Sequence, residues 1–459
     1  MKLFPVTALA LSLAAAFPAQ AQSNADILKE LQALKDKVSE LEAKLKAQDA
    51  KLPPVPGQWG MTPEQARELS RVGVKTEALE DAVEAQGLKA FKFNGFMDPT
   101  FIANRAQRSA GFRFLNNFSG GAESYTYDNS YFGLIGLDLQ KEMDGGTRWR
   151  FTLLPHKSAG SNYNYPSIVH EATVSIPVGD LQTRFWAGQL PDWSGYEYFL
   201  PGQNKFITHN LLFDFAAPTY YTGAGFDITS GKWIVKGVLG NMNISRYGEN
   251  RSGPVASYRV DYAKGEFNGF GFAGQHGRVN SLLAPGKPER LDMFEADGYF
   301  IRGDLTLQGQ VALGRQKNSA SNGGTARWWG VSSLLAYKLN PRFELVSRLD
   351  YLNNRANGGG TLNTLSGDCG GTLCPDGANG FGPGMALNPV SGSWESPNAD
   401  RGTNRWALSL GVSYLYNLNT TFKLETRFDG ADQATFFDAK SLGYRKTNAV
   451  FGTSVVVSF

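Results

Sequence analysis

Charged side chains recur at every second position of apolar runs, and that spacing is the chemically informative feature of this sequence. Arg148 and Arg150 alternate with Trp149 and Phe151, while Lys423, Glu425 and Arg427 alternate with Phe422, Leu424 and Phe428. A period of two belongs to an extended strand, whose successive side chains point to opposite faces. One face is wet and ionic, and the other is dry. Continued along the chain, the alternation assigns Arg184, Lys236, Arg259 and Arg348 to the wet face, with Glu171, Asp261, Glu295, Asp297, Glu344 and Asp350 as their counter-charges. Such a set can solvate and steer small polar solutes. It breaks no bonds.

Motifs for bond-breaking chemistry are weak or accidental. Gly269-Phe270-Gly271-Phe272-Ala273-Gly274 matches the dinucleotide fingerprint letter for letter, but it lies inside an alternating strand with no helix behind it. Arg302-Gly303-Asp304 reads as a tight strand connection. His156, His170, His209 and His276 are scattered without metal-ligand spacing, and no Gly-x-Ser-x-Gly elbow occurs. No catalytic residue, metal or cofactor is expected. The formal net charge of +3 gives no support to nucleic-acid binding.

The elements that must position these charges begin with an export signal over residues 1–21: Lys2, an apolar run from Val6 to Ala16, Pro18, and the small-residue cleavage triplet Ala19-Gln20-Ala21. The compartment therefore lies beyond the cytoplasmic membrane. Cys369 and Cys374 stand close together in a Gly-rich stretch, and in that oxidising compartment a loop-stapling disulfide is expected.

Residues 22–52 read as a coiled coil. Ile27, Leu31, Leu34, Val38, Leu41, Leu45 and Leu52 follow a 4-3-4-3-4-7 spacing, and a lone helix with one narrow apolar seam has nothing in its own chain to bury it against. Self-association follows. Pro53, Pro54 and Pro56 make residues 53–62 a stiff linker. A second helix is expected over 63–88, opened by the capping box of Thr62 and Gln65 with Pro63 at the first helical position.

Residues 89–459 are expected to be all-β. Seven very short connections, for example Asp144-Gly145-Gly146 and Asn340-Pro341, alternate with eight long ones, about 104–130, 156–167, 190–217, 243–255, 279–290, 315–326, 354–403 and 430–446. Strict alternation implies about sixteen antiparallel strands closed into a transmembrane barrel. Closure satisfies every backbone hydrogen bond inside a bilayer, which an open sheet cannot do. A charge on the lipid face would cost ~2–4 kcal/mol for Arg or Lys, so the charged face points inward.

The last strand runs Ala449, Phe451, Thr453, Val455, Val457 on one face and ends on the aromatic Phe459. Here the sequence resembles the Gram-negative outer-membrane porins, whose terminal Phe is read by the outer-membrane assembly machinery. The strand count resembles the sixteen-stranded trimeric porins, and the exported coiled coil is similar to that of dicarboxylate-type and phosphate-type anion porins. The resemblance implies a homotrimer in the outer-membrane lipid, with N-terminal helices in the periplasm and a water-filled channel for small hydrophilic solutes. It also implies that the long loop near 190–217 folds inward and narrows the channel. Carried over by position, Asp192, Glu197 and Asp214 would then face a strip of Arg148, Arg150 and Arg184, giving a modest anion preference. Two other readings compete: a plugged barrel tethering the membrane to the cell wall through its N-terminal helices, and an outer-membrane barrel enzyme.

Overall fold

The computed structural model describes residues 35–40, 42–44, 62–85, 90–114, 132–155, 168–218, 220–242, 253–265, 267–281, 284–320, 322–354, 356, 384–398 and 400–459. The chain divides into two units, residues 1–89 and 90–459. The first contains helix α1, Pro63–Ala85. Its start is the expected capping box: the Thr62 N–H donates to Gln65 Oε1 at 3.0 Å, and the Gln65 N–H donates to Thr62 Oγ1 at 3.2 Å. The export signal, most of the heptad segment, and Cys369 and Cys374 with their expected disulfide lie outside the described residues.

The second unit is a closed antiparallel barrel of sixteen strands. Strand β1 comprises Phe91–Met97 and Thr100–Asn104, interrupted at Asp98 and Pro99. Strand β2 comprises Ser109–Arg113 and Ile135–Glu142, both of which pair with β1. There follow β3 (Arg148–Leu153), β4 (Val169–Val178), β5 (Asp180–Pro191), β6 (Tyr220–Ser230), β7 (Trp233–Met242) and β8 (Val255–Gly265). Then come β9 (Asn268–Ser281), β10 (Ala284–Arg302), β11 (Leu305–Gln316), β12 (Ala326–Lys338), β13 (Phe343–Asn353), β14 (Arg405–Asn417), β15 (Thr420–Ala431) and β16 (Thr447–Ser458).

Closure is made by β16 against β1. The Phe459 N–H donates to the Gly95 carbonyl and the Gly95 N–H to the Phe459 carbonyl, each at 2.9 Å. The terminal ring lies over Gly95, where a Cβ would stand 2.3 Å from it, so any side chain there would displace the aromatic end from this position.

The two faces are those the alternation requires. On β12, Trp329, Val331, Leu335 and Tyr337 point out and are exposed, while Trp328, Ser332, Leu334 and Ala336 point in and are buried. The apolar exposed face is the lipid face.

Two of the eight outer connections differ from the expected lengths. The first, placed at 104–130, is a tight turn over 105–108, with Arg108 at φ +54°. The long segment comes later and interrupts β2 after Arg113. The fifth, placed at 279–290, closes within two residues, since β9 and β10 stay paired to Ser281 and Ala284. Pro285 and Pro288 fall near the end of this ladder, where proline is tolerated.

Candidate functional site: the inward loop and the channel wall

The connection from β5 to β6, residues 192–219, folds into the barrel. It carries a 3₁₀ turn, Pro201–Gln203, and a short helix α2, Leu211–Phe215. Asn210 caps α2 by accepting the Phe213 N–H at 2.8 Å, while its own N–H donates to Glu197 Oε2 at 2.7 Å. Trp193 packs on Tyr221 and Trp186, with ring centroids 5.2 and 6.1 Å apart. These aromatic contacts explain why the loop does not extend into solvent.

Four charged wall residues, Arg348, Arg427, Glu425 and Lys423, hold the loop by its backbone, and Glu344 holds it by a side chain. Fully buried Arg348, on β13, donates to Glu197 Oε1 at 2.8 Å, to the carbonyls of Thr208 and His209 at 2.9 Å each, and to Asp350 at 3.1 Å. Arg427, on β15, donates to the His209 carbonyl at 3.0 Å and lies 3.7 Å from Asp214. Glu425 accepts the N–H groups of Ile207 and Thr208 at 2.8 Å each. Lys423 Nζ donates to the carbonyls of Pro201 and Asn204 at 2.6 Å each. Glu344 takes Lys205 at 2.7 Å. Arg405, on β14, stacks its guanidinium over Phe215 and over Phe436 of the last outer loop, at 4.4 and 4.8 Å from the ring centres.

Within the loop, burial pushes the Glu197 carboxyl up to about 7, with Asp350 and Glu425 adding to the rise and Arg348 opposing it. Burial also pushes His209 down to about 3, reinforced by the charges of Arg348, Lys423 and Arg427. His209 is thus a neutral ring, stacked on Phe213 at 4.0 Å.

A second inward contact comes from the segment that interrupts β2. Phe132 packs with Ile102, Ile207, Phe436 and Val450, and Leu134 packs with Phe199 and Phe213 of the loop. Asp98, at the break in β1, anchors this return: its carboxylate accepts the Gly133 N–H at 3.1 Å, and its own N–H donates to the Leu134 carbonyl at 2.8 Å.

The loop's charged anchors therefore lie on β12 to β16, while Arg259 of β8 and Gln310 of β11 hold it from the other side. Inward side chains of β12, β13 and β15 are buried, whereas those of β3, β4 and β7 remain largely part-exposed. Arg148 and Arg150 keep water contact on that second wall, while Arg184 and Arg259 are largely buried among their partners. Arg150 pairs with Asp138 at 2.8 Å and Glu171 at 3.2 Å. Arg148 pairs with Glu142 at 3.0 Å, and Arg184 donates to Ser175 Oγ at 2.7 Å and the Gly146 carbonyl at 2.6 Å. Lys236 lies in register with Asp227 and Arg259. Arg259 spans Asp297 at 2.7 Å, Asp261 at 2.8 Å and the Trp193 carbonyl at 2.8 Å.

The expected pairing of the loop acids with Arg148, Arg150 and Arg184 is not formed. Glu197 and Asp214 take Arg348 and Arg427, and Asp192 accepts from Tyr221 and Ser194. The reason is topological: by Glu197 and Asp214 the loop has crossed to β13 and β15, and Asp192, still beside β6, is taken by Tyr221 and Ser194. Arg405, Lys205 and Thr208 were not identified from the sequence. Arg405 could have been found by running the β14 alternation back from Ser409 and Ala407.

A closed sixteen-stranded barrel with a lipid-facing apolar exterior and an ionic interior is a β-barrel channel of the outer membrane. The family model "Putative beta-barrel porin-2, OmpL-like" matches residues 90–459. The chain belongs to this family of porins: it is an outer-membrane channel of Gram-negative type for passive diffusion. No curated protein matches it.

Among solved structures, the chain is similar to OprB of Pseudomonas putida at 10% identity and a TM-score of 0.50, over 84% of this chain and 96% of that one. OmpT of Vibrio cholerae gives 12% and 0.49, over 80% and 97%. An anion-selective porin from Comamonas acidovorans gives 10% and 0.48, over 80% and 99%. At these identities the likeness is one of fold.

Proposed function

We propose a general diffusion porin with a modest anion preference set at the periplasmic mouth. The observation that carries this is the recess beneath the tip of the inward loop. It is lined by Lys205, Lys338, Arg342 and Lys423, with Glu344 as the one carboxylate side chain among its lining residues. The strip of Arg148, Arg150 and Arg184 supports selectivity less well, because Glu142, Asp138 and Glu171 neutralise it locally. At the recess the cations outnumber the acid, and a positive potential there favours small anions over a Debye length of about 10 Å at 0.1 M salt.

The test is the zero-current potential across a planar bilayer under a salt gradient. Replacing Lys205, Lys338 and Arg342 together by Gln should shift it towards cations, and the shift should fade as salt rises. Replacing Arg148, Arg150 and Arg184 together by Ser should change it less. The reverse order of effects would return the selectivity to the arginine strip.

The same reading makes the protein a homotrimer with its N-terminal helices in the periplasm, since the heptad seam over residues 22–52 needs partners. A chain starting at Lys89 should still fold as an SDS-resistant barrel, while its trimer dissociates at a lower temperature than the parent. Identical trimer melting would remove the helices from assembly.

A further inference from the structure

Among the described residues of the inward loop, Tyr198 is the one large apolar side chain that is exposed, at 54%, whereas Tyr196, Phe199, Phe206 and Phe213 are buried. Its backbone is nonetheless fixed. The Tyr198 N–H donates to Asn204 Oδ1 at 2.9 Å, and its carbonyl accepts from Asn204 Nδ2 and, at 3.0 Å, from His209 Nε2. The residues on either side are pinned as well. Glu197 takes Arg348 of β13, and Phe199 packs 4.9 Å from Phe213 and 5.4 Å from His170 of β4, measured between ring centroids. Tyr198 is therefore an aromatic face on a rigid mount, turned to water inside the barrel. Such a mount removes most of the ordering cost that a mobile loop would carry into each contact with a solute.

Asn204 links this mount to the recess beneath the loop tip, which it lines together with Gln203. The recess holds about 410 Å³ and mixes neutral hydrogen-bonding groups, among them Asn340, Ser413, Asn419 and Thr421, with cations. Lys205 is taken by Glu344 and Lys423 by loop carbonyls. Lys338 and Arg342, both exposed and outside every ion pair among the described residues, carry the available charge. An aromatic face, with its negative quadrupole, favours the C–H face of a ring. Amides and hydroxyls suit hydroxyl groups, and the cations suit a carboxylate. An open chain presents no such flat face, and an inorganic anion has no apolar face at all.

We propose that the solutes this channel favours are ring-closed sugar acids. The apolar face of a pyranose lies on Tyr198, and its carboxylate is drawn to Lys338 and Arg342 in the recess beside it. The acid half of this assignment rests on the anion preference proposed above; the ring half is independent of it.

Uptake of four radiolabelled solutes of similar size into proteoliposomes of the full-length protein tests this. Glucuronate and methyl glucoside are rings, while gluconate and sorbitol are open chains. The parent should take up glucuronate faster than gluconate and methyl glucoside faster than sorbitol, each by about two- to tenfold. Tyr198→Ser should abolish both ring advantages and leave the advantage of acids over neutral solutes, while Tyr198→Phe should keep all of them. Lys338→Gln combined with Arg342→Gln should do the converse, removing the acid advantage and sparing that of the rings. Equal rates for ring and chain in the parent, or a ring advantage that survives Tyr198→Ser, would overturn the role of Tyr198 and leave the anion preference standing. A ring advantage without an acid advantage in the parent would overturn the choice of sugar acids, and the anion preference with it. The comparison of solutes on the unaltered protein stands even if a variant folds poorly.

Discussion

Arg348 is the residue on which the inward loop depends. Its guanidinium is wholly removed from solvent, yet it serves a carboxylate on either side and two loop carbonyls. Replacing it by Met leaves Glu197 and Asp350 buried without their cation, a loss of ~3–5 kcal/mol for breaking a buried pair. That cost falls on the docked loop rather than on the strand ladder. Arg348→Met should therefore leave a folded barrel with noisier and larger single-channel currents, and adding Glu197→Gln should recover part of the quiet state. Currents identical to the parent's would mean that the loop is held elsewhere. By contrast, Arg148 and Glu142 are both about half exposed, and Arg148→Ala should move stability by no more than ~1 kcal/mol. Both arginines were legible as inward charges, because alternation depends only on chain geometry. Which of them meets the loop was not legible, because that contact joins residues 151 positions apart.

Among the elements, β16 carries the closure of the barrel. Removing Phe459 takes away two backbone hydrogen bonds to Gly95 and the ring that fills the space above it. The truncated chain should reach the periplasm and insert poorly, read as low surface levels by protease accessibility on intact cells; normal levels would contradict this. Strands and short turns were readable in the sequence because Gly, Asn and Asp punctuate them, as at Gly231 and Gly303, both at positive φ. The turn at 105–108 has no glycine or proline and carries its positive φ on Arg108, so the chain reversal left no signal. The break in β1 did carry a signal, Asp98-Pro99, since proline removes a ladder donor. What the sequence could not show is that the segment interrupting β2 returns through the interior at Phe132 and Leu134. Those residues look no different from lipid-facing ones until their partners Ile207 and Phe213 are in place.

At the scale of the whole molecule, the interior is divided. One wall, β12 to β16, is sealed by the loop and by a buried ionic network, and the other keeps Arg148 and Arg150 in contact with water. A barrel built only to tether the membrane would need no such wet wall, and a lumen filled on every side would leave Arg150 no solvent. Its side chain keeps 38% of its exposure. The central claim is that this wall lines an open path. The most direct measurement is single-channel conductance of the purified full-length protein in a planar bilayer, in symmetric KCl from 0.1 to 1 M. Discrete current steps, rising nearly in proportion to bulk conductivity above the range where fixed charge is screened, are the predicted result. Absence of steps above the bare bilayer, with the barrel demonstrably folded and inserted, would contradict it and favour the plugged tether.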